Sequence, residues 1–235
     1  MYLTTSQIMQ NSLVVSIDNE RFLAFQEAFQ KEKLQVPKKF VGYEIMNKSF
    51  ISQFQSFRYM LLDKRRGVVK QDMKIKNAIC NNVSHWSIVQ IAKFTDMPFV
   101  TIFEDDAMPV EGCATRLDSL CSDIPDEIDV LRLGYCSQFK RPLGQGVIDS
   151  AIPHSDNLIV KNLSGSHAYI VFKRYYDHFI EDNKFQPRCD FRKINPSRDK
   201  NVFALKESLF NQINLKDRPV ITSWKLPDGE VIINR

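Results

Sequence analysis

The chain of 235 residues carries a formal net charge of +4, from 32 lysines and arginines against 28 aspartates and glutamates. Hydrophobic residues make up 43% and charged residues 26%, which excludes a disordered or collagen-like chain and favours one globular domain over residues 1–235. The five cysteines are odd in number and form no C-x-x-C pair, so a disulfide framework or a zinc ribbon is not expected and reduced thiols in a cytosol are.

The first predicted elements form a β-α-β unit. Leu13–Ile17 is short, apolar and rich in β-branched residues, which is typical of a strand. Phenylalanines recur at helical spacing after a polar break, so Glu20–Lys33 is predicted to be an amphipathic helix. Phe40–Tyr43 is predicted to be the second strand. This order indicates an α/β layered fold.

The middle of the chain predicts a long helix and then a buried strand. Asn47–Leu62 is ambiguous but favours a helix, and Lys64–Gly67 is predicted to be a loop. Apolar residues at helical spacing predict a longer helix over Lys74–Phe94. Phe99–Phe103 follows as a buried strand and runs directly into the acidic residues Glu104–Asp106.

The second half of the chain contains a long predicted excursion. Before this excursion, a helix is predicted at Glu111–Cys121 and a strand at Ile128–Leu133. Gly134–Asn157 contains Gly, Pro and Ser, and loops of this length in compact domains are often lids or binding loops. Four further elements are predicted: a strand at Ala168–Phe172, helices at Tyr175–Glu181 and Ser208–Ile213, and a strand at Val220–Trp224.

Three adjacent carboxylates at the end of a buried strand need compensation, because like charges repel and burial raises the cost of ionising them. The expected compensation is water at an exposed strand end, or a divalent cation bound by carboxylate oxygens. Ligands of open α/β sheets bind outside the carboxyl ends of the strands. Strand alternation predicts Glu104 and Asp106 on one side and Asp105 on the other. The acidic run alone fits phosphatases, nucleases, nucleotidyltransferases and glycosyltransferases equally.

Four segments in order along the chain carry a resemblance to a known family. They are "VVSIDNERFLAFQEAFQKEKL" (14–34), "NAICNNVSHWSIVQ" (77–90), "FVTIFEDDAMP" (99–109) and "SGSHAYIVFKRYYDHFI" (164–180). Their order and spacing resemble glycosyltransferase family 25, which contains bacterial lipooligosaccharide glycosyltransferases and their collagen galactosyltransferase relatives. The chain departs from the family at the opening turn, where a single Arg21 stands in place of an arginine pair.

The resemblance implies a GT-A fold, with a mixed, mostly parallel central sheet flanked by helices. It implies a metal-dependent, inverting hexosyltransferase that takes galactose or a similar sugar from a nucleotide-diphosphate donor, expected to be a UDP-sugar. The implied acceptor is a lipid-linked glycan of lipopolysaccharide, lipooligosaccharide or capsule, and no nucleic acid partner is expected. Since no signal peptide or apolar run of roughly 18 residues is visible, the expected location is the cytoplasm, with at most peripheral contact with the inner membrane face.

The resemblance also assigns roles to individual residues. A Mn²⁺ or Mg²⁺ ion is expected on Asp106, Glu104 and His167. Asp190, which matches an aspartate that follows the fourth segment in the family, is the candidate general base. A salt bridge within the basic segment Arg188–Lys200, "RCDFRKINPSRDK", is nearly as good an explanation for this residue. The expected donor-binding residues are Ser16, Asp18, Arg21, Ser84, His85, Glu104 and Asp105.

Two other classes of function remain open from the sequence. A metal-dependent phosphodiesterase or nuclease would reuse the acidic strand end together with the basic segment, but it needs a second acidic cluster to hold two metals, and the sequence contains no such cluster. A noncatalytic glycan- or nucleotide-binding module on a transferase fold is the other alternative. The intact acidic run Glu104–Asp106 argues against it.

Overall fold

The computed structural model describes residues 1–42, 69–121, 124–136, 152–160, 163–183, 194, 200–213, 223–225 and 231–233. These residues form an α/β structure built on an eight-stranded mixed sheet, with two smaller two-stranded sheets. The helices are α1 (Thr5–Gln10), α2 (Asn19–Lys31), α3 (Val69–Phe94), α4 (Cys113–Leu120) and α5 (Tyr176–Asn183), with a 3₁₀ turn at Lys173–Tyr175.

The strands are numbered in chain order. They are β1 (Ser12–Ser16), β2 (Lys38–Val41), β3 (Phe99–Glu104), β4 (Ala107–Pro109), β5 (Val130–Cys136), β6 (Ile152–Pro153), β7 (Leu158–Val160), β8 (Ser164–Phe172), β9 (Val202–Leu205), β10 (Phe210–Gln212), β11 (Ser223–Lys225) and β12 (Val231–Ile233). The large sheet has the order β2-β1-β3-β8-β5-β9-β7-β6, while β10 pairs with β4 and β11 with β12.

The predicted α/β class is confirmed, but the prediction of a mostly parallel sheet is wrong. β1 runs parallel to β2 and to β3, and β5 runs parallel to β9. The long strand β8 lies between β3 and β5 and is antiparallel to both. The pairings of β7 with β9 and β6 are also antiparallel. Parallel pairings are therefore the minority in this sheet.

The sheet is buried on both faces, and β3 contributes to both layers. Phe99 and Phe103 pack into the core on the side of α1, α2 and α4, where Phe103 meets Phe29 edge to face. Val100 and Ile102 pack into the core on the side of α3 and α5. Burial on both faces explains why the predicted strand is a continuous apolar run and does not alternate with polar residues.

Capping fixes the start of α2 beside the end of β1. The side chain of Asp18 accepts hydrogen bonds from the backbone N–H groups of Glu20 and Arg21, at 2.8 and 3.1 Å. These are two of the donors that a helix N-terminus leaves unpaired. The cap therefore sets Arg21 in the first turn of α2, directly after the first strand of the sheet.

Several predicted elements differ from the observed ones. The helix predicted at Ser208–Ile213 is wrong, because these residues contain β10, which pairs antiparallel with β4. A short apolar run does not distinguish a helix from a strand, and here the partner strand decides. β8 begins earlier than predicted and α3 begins at Val69, while α1 and β9 were not predicted at all. Residues 43–68 and 137–151, which contain the predicted helix at Asn47–Leu62 and most of the long excursion, lie outside the described residues.

The four described cysteines are free and three of them are buried. Burial, with a smaller contribution from nearby carboxylates, raises the pKa of Cys113 and of Cys121 to about 12. Such thiols stay protonated and act as small apolar side chains, as the sequence predicts. None of the described helices combines the length and the apolar character that a bilayer crossing requires.

Candidate functional site

The acidic turn lies where two parallel strands end side by side. Val15 of β1 is in register with Glu104 of β3, and the backbone N–H of Asp105 donates to the carbonyl of Val15 at 3.2 Å. The carboxyl ends of β1 and β3 therefore meet at one edge of the sheet. The turn that leads into α2 and the turn that carries the carboxylates face each other there, which is the usual position of a ligand in an α/β sheet.

Arg21 supplies the positive charge nearest to the carboxylates. Its guanidinium forms an ion pair with Asp105 and lies 3.8 Å from Oδ2 of Asp106. Asp105 and Asp106 are both buried, whereas 22% of the Arg21 side chain is exposed. The predicted compensation was water or a divalent cation. The structure shows that the chain itself provides a guanidinium for two of the three carboxylates.

Asp105 has an unusual protonation equilibrium as a result of its position. Burial raises its pKa from 3.8 to about 6, against the opposing effects of Arg21 and a hydrogen bond to Ser16. The neighbouring carboxylates of Asp106 and Glu104 contribute to this increase. The hydroxyl of Ser16 also donates to the backbone carbonyl of Asp18 at 2.8 Å. Two predicted donor-binding residues, Ser16 and Arg21, thus contact Asp105, and the third, Asp18, is bonded to both of them.

Glu104 faces the other layer and is held by donors from α3 and β8. Its Oε1 accepts from Nδ2 of Asn81 at 3.1 Å and from the hydroxyl of Ser166 at 2.5 Å. Nε2 of His85 lies 3.5 Å from the same oxygen. Nδ1 of His85 is hydrogen bonded to the hydroxyl of Tyr169 at 2.7 Å. Glu104 is therefore oriented by groups from two elements that are far apart in sequence.

Ser84 and His85 lie in the buried layer behind Glu104. The side chain of His85 has no exposed surface, and the hydroxyl of Ser84, which is also buried, donates to the carbonyl of Cys80 at 2.8 Å. Both were predicted to bind the donor. This role stays a prediction. In the described geometry His85 contacts Glu104, and Asn81 and Ser166 are two further polar neighbours of this carboxylate that sequence reasoning missed.

Asp106 is held from the opposite direction by β10. Nε2 of Gln212 donates to Oδ2 of Asp106 at 3.0 Å, and the backbone N–H of Ile213 donates to the carbonyl of Asp106 at 3.1 Å. Gln212 belongs to no motif, and its segment was predicted to be a helix. No local signal in the sequence could have identified it, because its role depends on the pairing of β10 with β4.

His167 is packed inside the protein and not against the carboxylates. Its Nε2 donates to the carbonyl of Phe210 at 2.8 Å, which places the ring proton on Nε2 because a carbonyl only accepts. No hydrogen bond or ion pair joins His167 to Glu104, Asp105 or Asp106 within the described part of the chain. Its ring lies so close to two glycines that a Cβ at Gly134 or Gly165 would stand 2.8 or 2.9 Å from a ring nitrogen. The small residues around His167 therefore make room for its own ring.

An irregularity in the pairing of β8 with β5 explains the position of His167. The pairing of β5 with β8 shifts register between Arg132 and Gly134 and again between Gly134 and Cys136. Gly165 has a φ of +86°, a conformation that glycine adopts at little cost. The irregularity turns Ser166 toward Glu104 and His167 toward Phe210. Strict alternation along a regular strand does not predict this arrangement.

The predicted grouping of the carboxylates also differs. β3 ends at Glu104, so alternation does not continue through the turn, and Arg21 lies near both Asp105 and Asp106 while Glu104 contacts α3 and β8. Among the residues that the structure describes, no three His, Cys, Asp or Glu side chains are grouped to hold a metal. The candidate base Asp190 lies outside the described residues.

No family model matches the chain, and no curated protein matches it significantly. The resemblance to glycosyltransferase family 25 therefore stays a prediction.

Residues from all four resembling segments nevertheless meet at one place. Arg21 comes from the first segment, His85 from the second, Glu104–Asp106 from the third and Ser166 from the fourth. Arg21 contacts the third segment through its ion pair with Asp105, and His85 and Ser166 contact it through Glu104. The arrangement provides two buried carboxylates, one held by a neutral amide and one paired with a guanidinium whose side chain is partly exposed. Such a set of groups suits a polyanionic ligand together with a cation.

Proposed function

We propose that this chain is a metal-dependent, inverting glycosyltransferase with a GT-A fold. It transfers a hexose from a nucleotide-diphosphate sugar, expected to be a UDP-sugar, to a lipid-linked glycan. The observation that carries this proposal is the meeting of Arg21, His85, Glu104–Asp106 and Ser166 at the carboxyl ends of β1 and β3. These residues come from separate segments that resemble one family, and a chance likeness of separate segments gives no reason for their contact.

The carboxylates are suited to a cation that is shared with phosphates. Mg²⁺ and similar ions are usually held by one or two carboxylates, with waters and substrate phosphates as the other ligands. A closed protein cage of three or more ligands is not required, which agrees with the lack of such a group among the described residues. Asp106 would hold the ion. His167 does not fit because its ring faces Phe210, and Glu104 is held by Asn81, His85 and Ser166 on the side of α3 and β8. The bound ion would neutralise charge on the leaving diphosphate.

Arg21 is the second group suited to the donor. A guanidinium carries five N–H donors and binds phosphate oxygens in pairs. Its ion-pair partners in the described part of the chain are Asp105 and Asp106, and 22% of its side chain is exposed, so further N–H donors remain for a phosphate. The cap at Asp18 and the hydrogen bonds of Ser16 keep this arginine beside the acidic turn. We assign Arg21 to the diphosphate of the donor.

Nucleotide binding that depends on the metal is the first expected result. We expect UDP or GDP to raise the melting temperature of the protein when Mn²⁺ is added, since a ligand that binds only the folded state stabilises it. Asp106→Asn should abolish this shift, and Asp156→Asn, the same change at an exposed aspartate, should keep it. The measurement is a thermal melt with each nucleotide, with and without Mn²⁺. An unchanged shift in Asp106→Asn would remove the metal role of this residue.

Asp190 remains our candidate for the general base that deprotonates the acceptor hydroxyl. A positioned base contributes about 10²- to 10⁴-fold to a rate, so Asp190→Asn should lower kcat by about that factor. The thermal shift with nucleotide and Mn²⁺ should stay as in the wild type, because the base does not hold the donor. A variant that loses the thermal shift as well would assign Asp190 to binding or folding and not to proton transfer.

A noncatalytic nucleotide- or glycan-binding module is the alternative that one observation favours. Arg21 already neutralises Asp105, so the acidic turn is partly compensated without any added ion. Slow hydrolysis of a UDP-sugar in the presence of Mn²⁺ separates the two functions, because only a transferase activates the donor. A metal-dependent phosphodiesterase is disfavoured, since the described residues contain no second group of acids for a two-metal centre.

A further inference from the structure

The strand β10 lies against the acidic turn and holds Asp106 through both main chain and side chain. Gln212 is in register with Ala107, the residue that follows Asp106. The backbone N–H of Ile213 donates to the carbonyl of Asp106, and the amide of Gln212 donates to its carboxylate. The orientation of Asp106 is therefore set by a strand that lies more than a hundred residues away in sequence, since the Gln212–Asp106 bond spans 106 residues.

Both ends of the Gln212 amide are engaged. Nε2 donates to Oδ2 of Asp106 at 3.0 Å, and Oε1 accepts from the thiol of Cys136 on β5 at 3.5 Å. A rotation of the amide would place its oxygen against the carboxylate and its N–H group against the thiol. This arrangement selects one orientation of the amide, and the amide in turn selects one orientation of the buried carboxylate.

The two neighbouring aspartates are held by different chemistry. Asp105 is paired with the cation of Arg21, whereas Asp106 receives its short side-chain hydrogen bond from a neutral amide and lies 3.8 Å from Arg21. A neutral donor fixes the geometry of a carboxylate and adds no positive charge of its own. A divalent cation needs that charge, and it needs the carboxylate in a defined orientation.

We propose that Gln212 is a positioning residue for the cation of the donor site. Its amide holds the Asp106 carboxylate in the orientation in which it binds a divalent cation shared with the diphosphate of the donor. The proposal rests on the proposed function, because it concerns the same site. It adds a residue that neither the sequence motifs nor the family resemblance indicates.

The test compares substitutions on the two faces of β10. Gln212→Leu removes the donor and keeps a side chain of similar size, and Gln212→Glu replaces the donor by a like charge beside Asp106. Asn211→Leu is the matched control, because Asn211 is the exposed neighbour on the same strand. Each protein is melted with saturating UDP or GDP, whichever stabilises the wild type, while Mn²⁺ is titrated. The readout is the Mn²⁺ concentration at half of the full shift in melting temperature.

We expect Gln212→Leu to raise this Mn²⁺ concentration by about 10- to 100-fold, the usual effect of removing a group that orients a metal ligand. Gln212→Glu should raise it at least as much, and Asn211→Leu should change it by less than about twofold, as surface substitutions usually do. If Gln212→Leu does not fold, Gln212→Asn decides, because its amide is one methylene too short to reach Asp106 and should give the same rise.

Two failures can be distinguished. If the wild type shows the Mn²⁺-dependent shift and the Gln212 variants need no more Mn²⁺ than Asn211→Leu does, the role of Gln212 is overturned and the proposed function stands. If no nucleotide shifts the wild type at any Mn²⁺ concentration, the proposed function fails and the role of Gln212 fails with it. A lower melting temperature of Gln212→Leu without ligands, at an unchanged Mn²⁺ requirement, would assign Gln212 to folding alone.

Discussion

Arg21→Met is expected to lower the free energy of unfolding by about 3 kcal/mol at pH 8. The substitution removes the counter-ion of Asp105 and leaves this buried carboxylate without its ion-pair partner. Loss of one partner from a fully buried pair costs about 3 to 5 kcal/mol. The lower end applies here, because 22% of the Arg21 side chain is exposed to water. Denaturation in urea measures the difference directly.

The effect of Arg21→Met should depend on pH. Burial raises the pKa of Asp105 to about 6 in the folded protein, above its ordinary value of 3.8. The folded state therefore binds this proton more tightly than the unfolded state, and stability falls as the pH rises from about 4 to about 6. Arg21 lowers this pKa, so its removal raises the pKa further and extends the fall to higher pH. The difference between wild type and variant should be small at pH 5 and large at pH 8.

A control and a double mutant separate this role from a general loss of charge. Arg116→Met breaks the exposed pair with Glu207, and it should cost less than about 1 kcal/mol, with little change between pH 5 and pH 8. On a background of Asp105→Asn, the substitution at Arg21 should cost far less, because the buried charge is gone. An equal loss at both pH values, or a loss no larger than that of Arg116→Met, would contradict the assignment of Arg21 as the counter-ion.

Local patterns in the sequence predicted the elements that carry the site. The apolar run of β3 and the amphipathic helix α2 with its cap follow from residues close together in the chain. The position of the carboxylates at a strand end follows from the same run. These features persist in the structure because both depend on hydrogen bonds and burial patterns within one segment.

Contacts between distant segments could not be predicted in the same way. The insertion of β8 between β3 and β5 depends on the pairing of three strands, and nothing in Ser164–Phe172 specifies its neighbours. The partner of Asp105 could equally have been water, a metal or any of the basic side chains. Gln212 stands in a segment whose short apolar run fits a helix and a strand equally well. This segment forms a strand because it pairs with β4, which is about a hundred residues away in the sequence.

The packing of the strands β5, β8 and β10 next to the site depends on one glycine. Gly134 lies on β5 where His167 of β8 and Phe210 of β10 come together. A Cβ at this position would stand 2.5 Å from the carbonyl oxygen of Phe210 and 2.8 Å from Nε2 of His167. The added Cβ would therefore clash with both atoms of the hydrogen bond between His167 and Phe210. The carbonyl belongs to the backbone, so a side-chain rotation cannot relieve the contact.

Gly134→Ala is accordingly expected to cost about 3 kcal/mol or more, at the upper end of the range for overpacked cores. Gly112→Ala is the matched control, because Gly112 has a φ of +69° but no atom within 4 Å of an added Cβ. It should cost only the backbone strain, about 1 to 2 kcal/mol. Since a displaced Phe210 moves β10, we also expect Gly134→Ala to raise the Mn²⁺ requirement of the nucleotide shift as Gln212→Leu does. An added Cβ at Gly134 can be accommodated only by a shift of the β10 backbone, and β10 orients Asp106. Equal losses in the free energy of unfolding for the two alanine variants in urea would contradict this close packing.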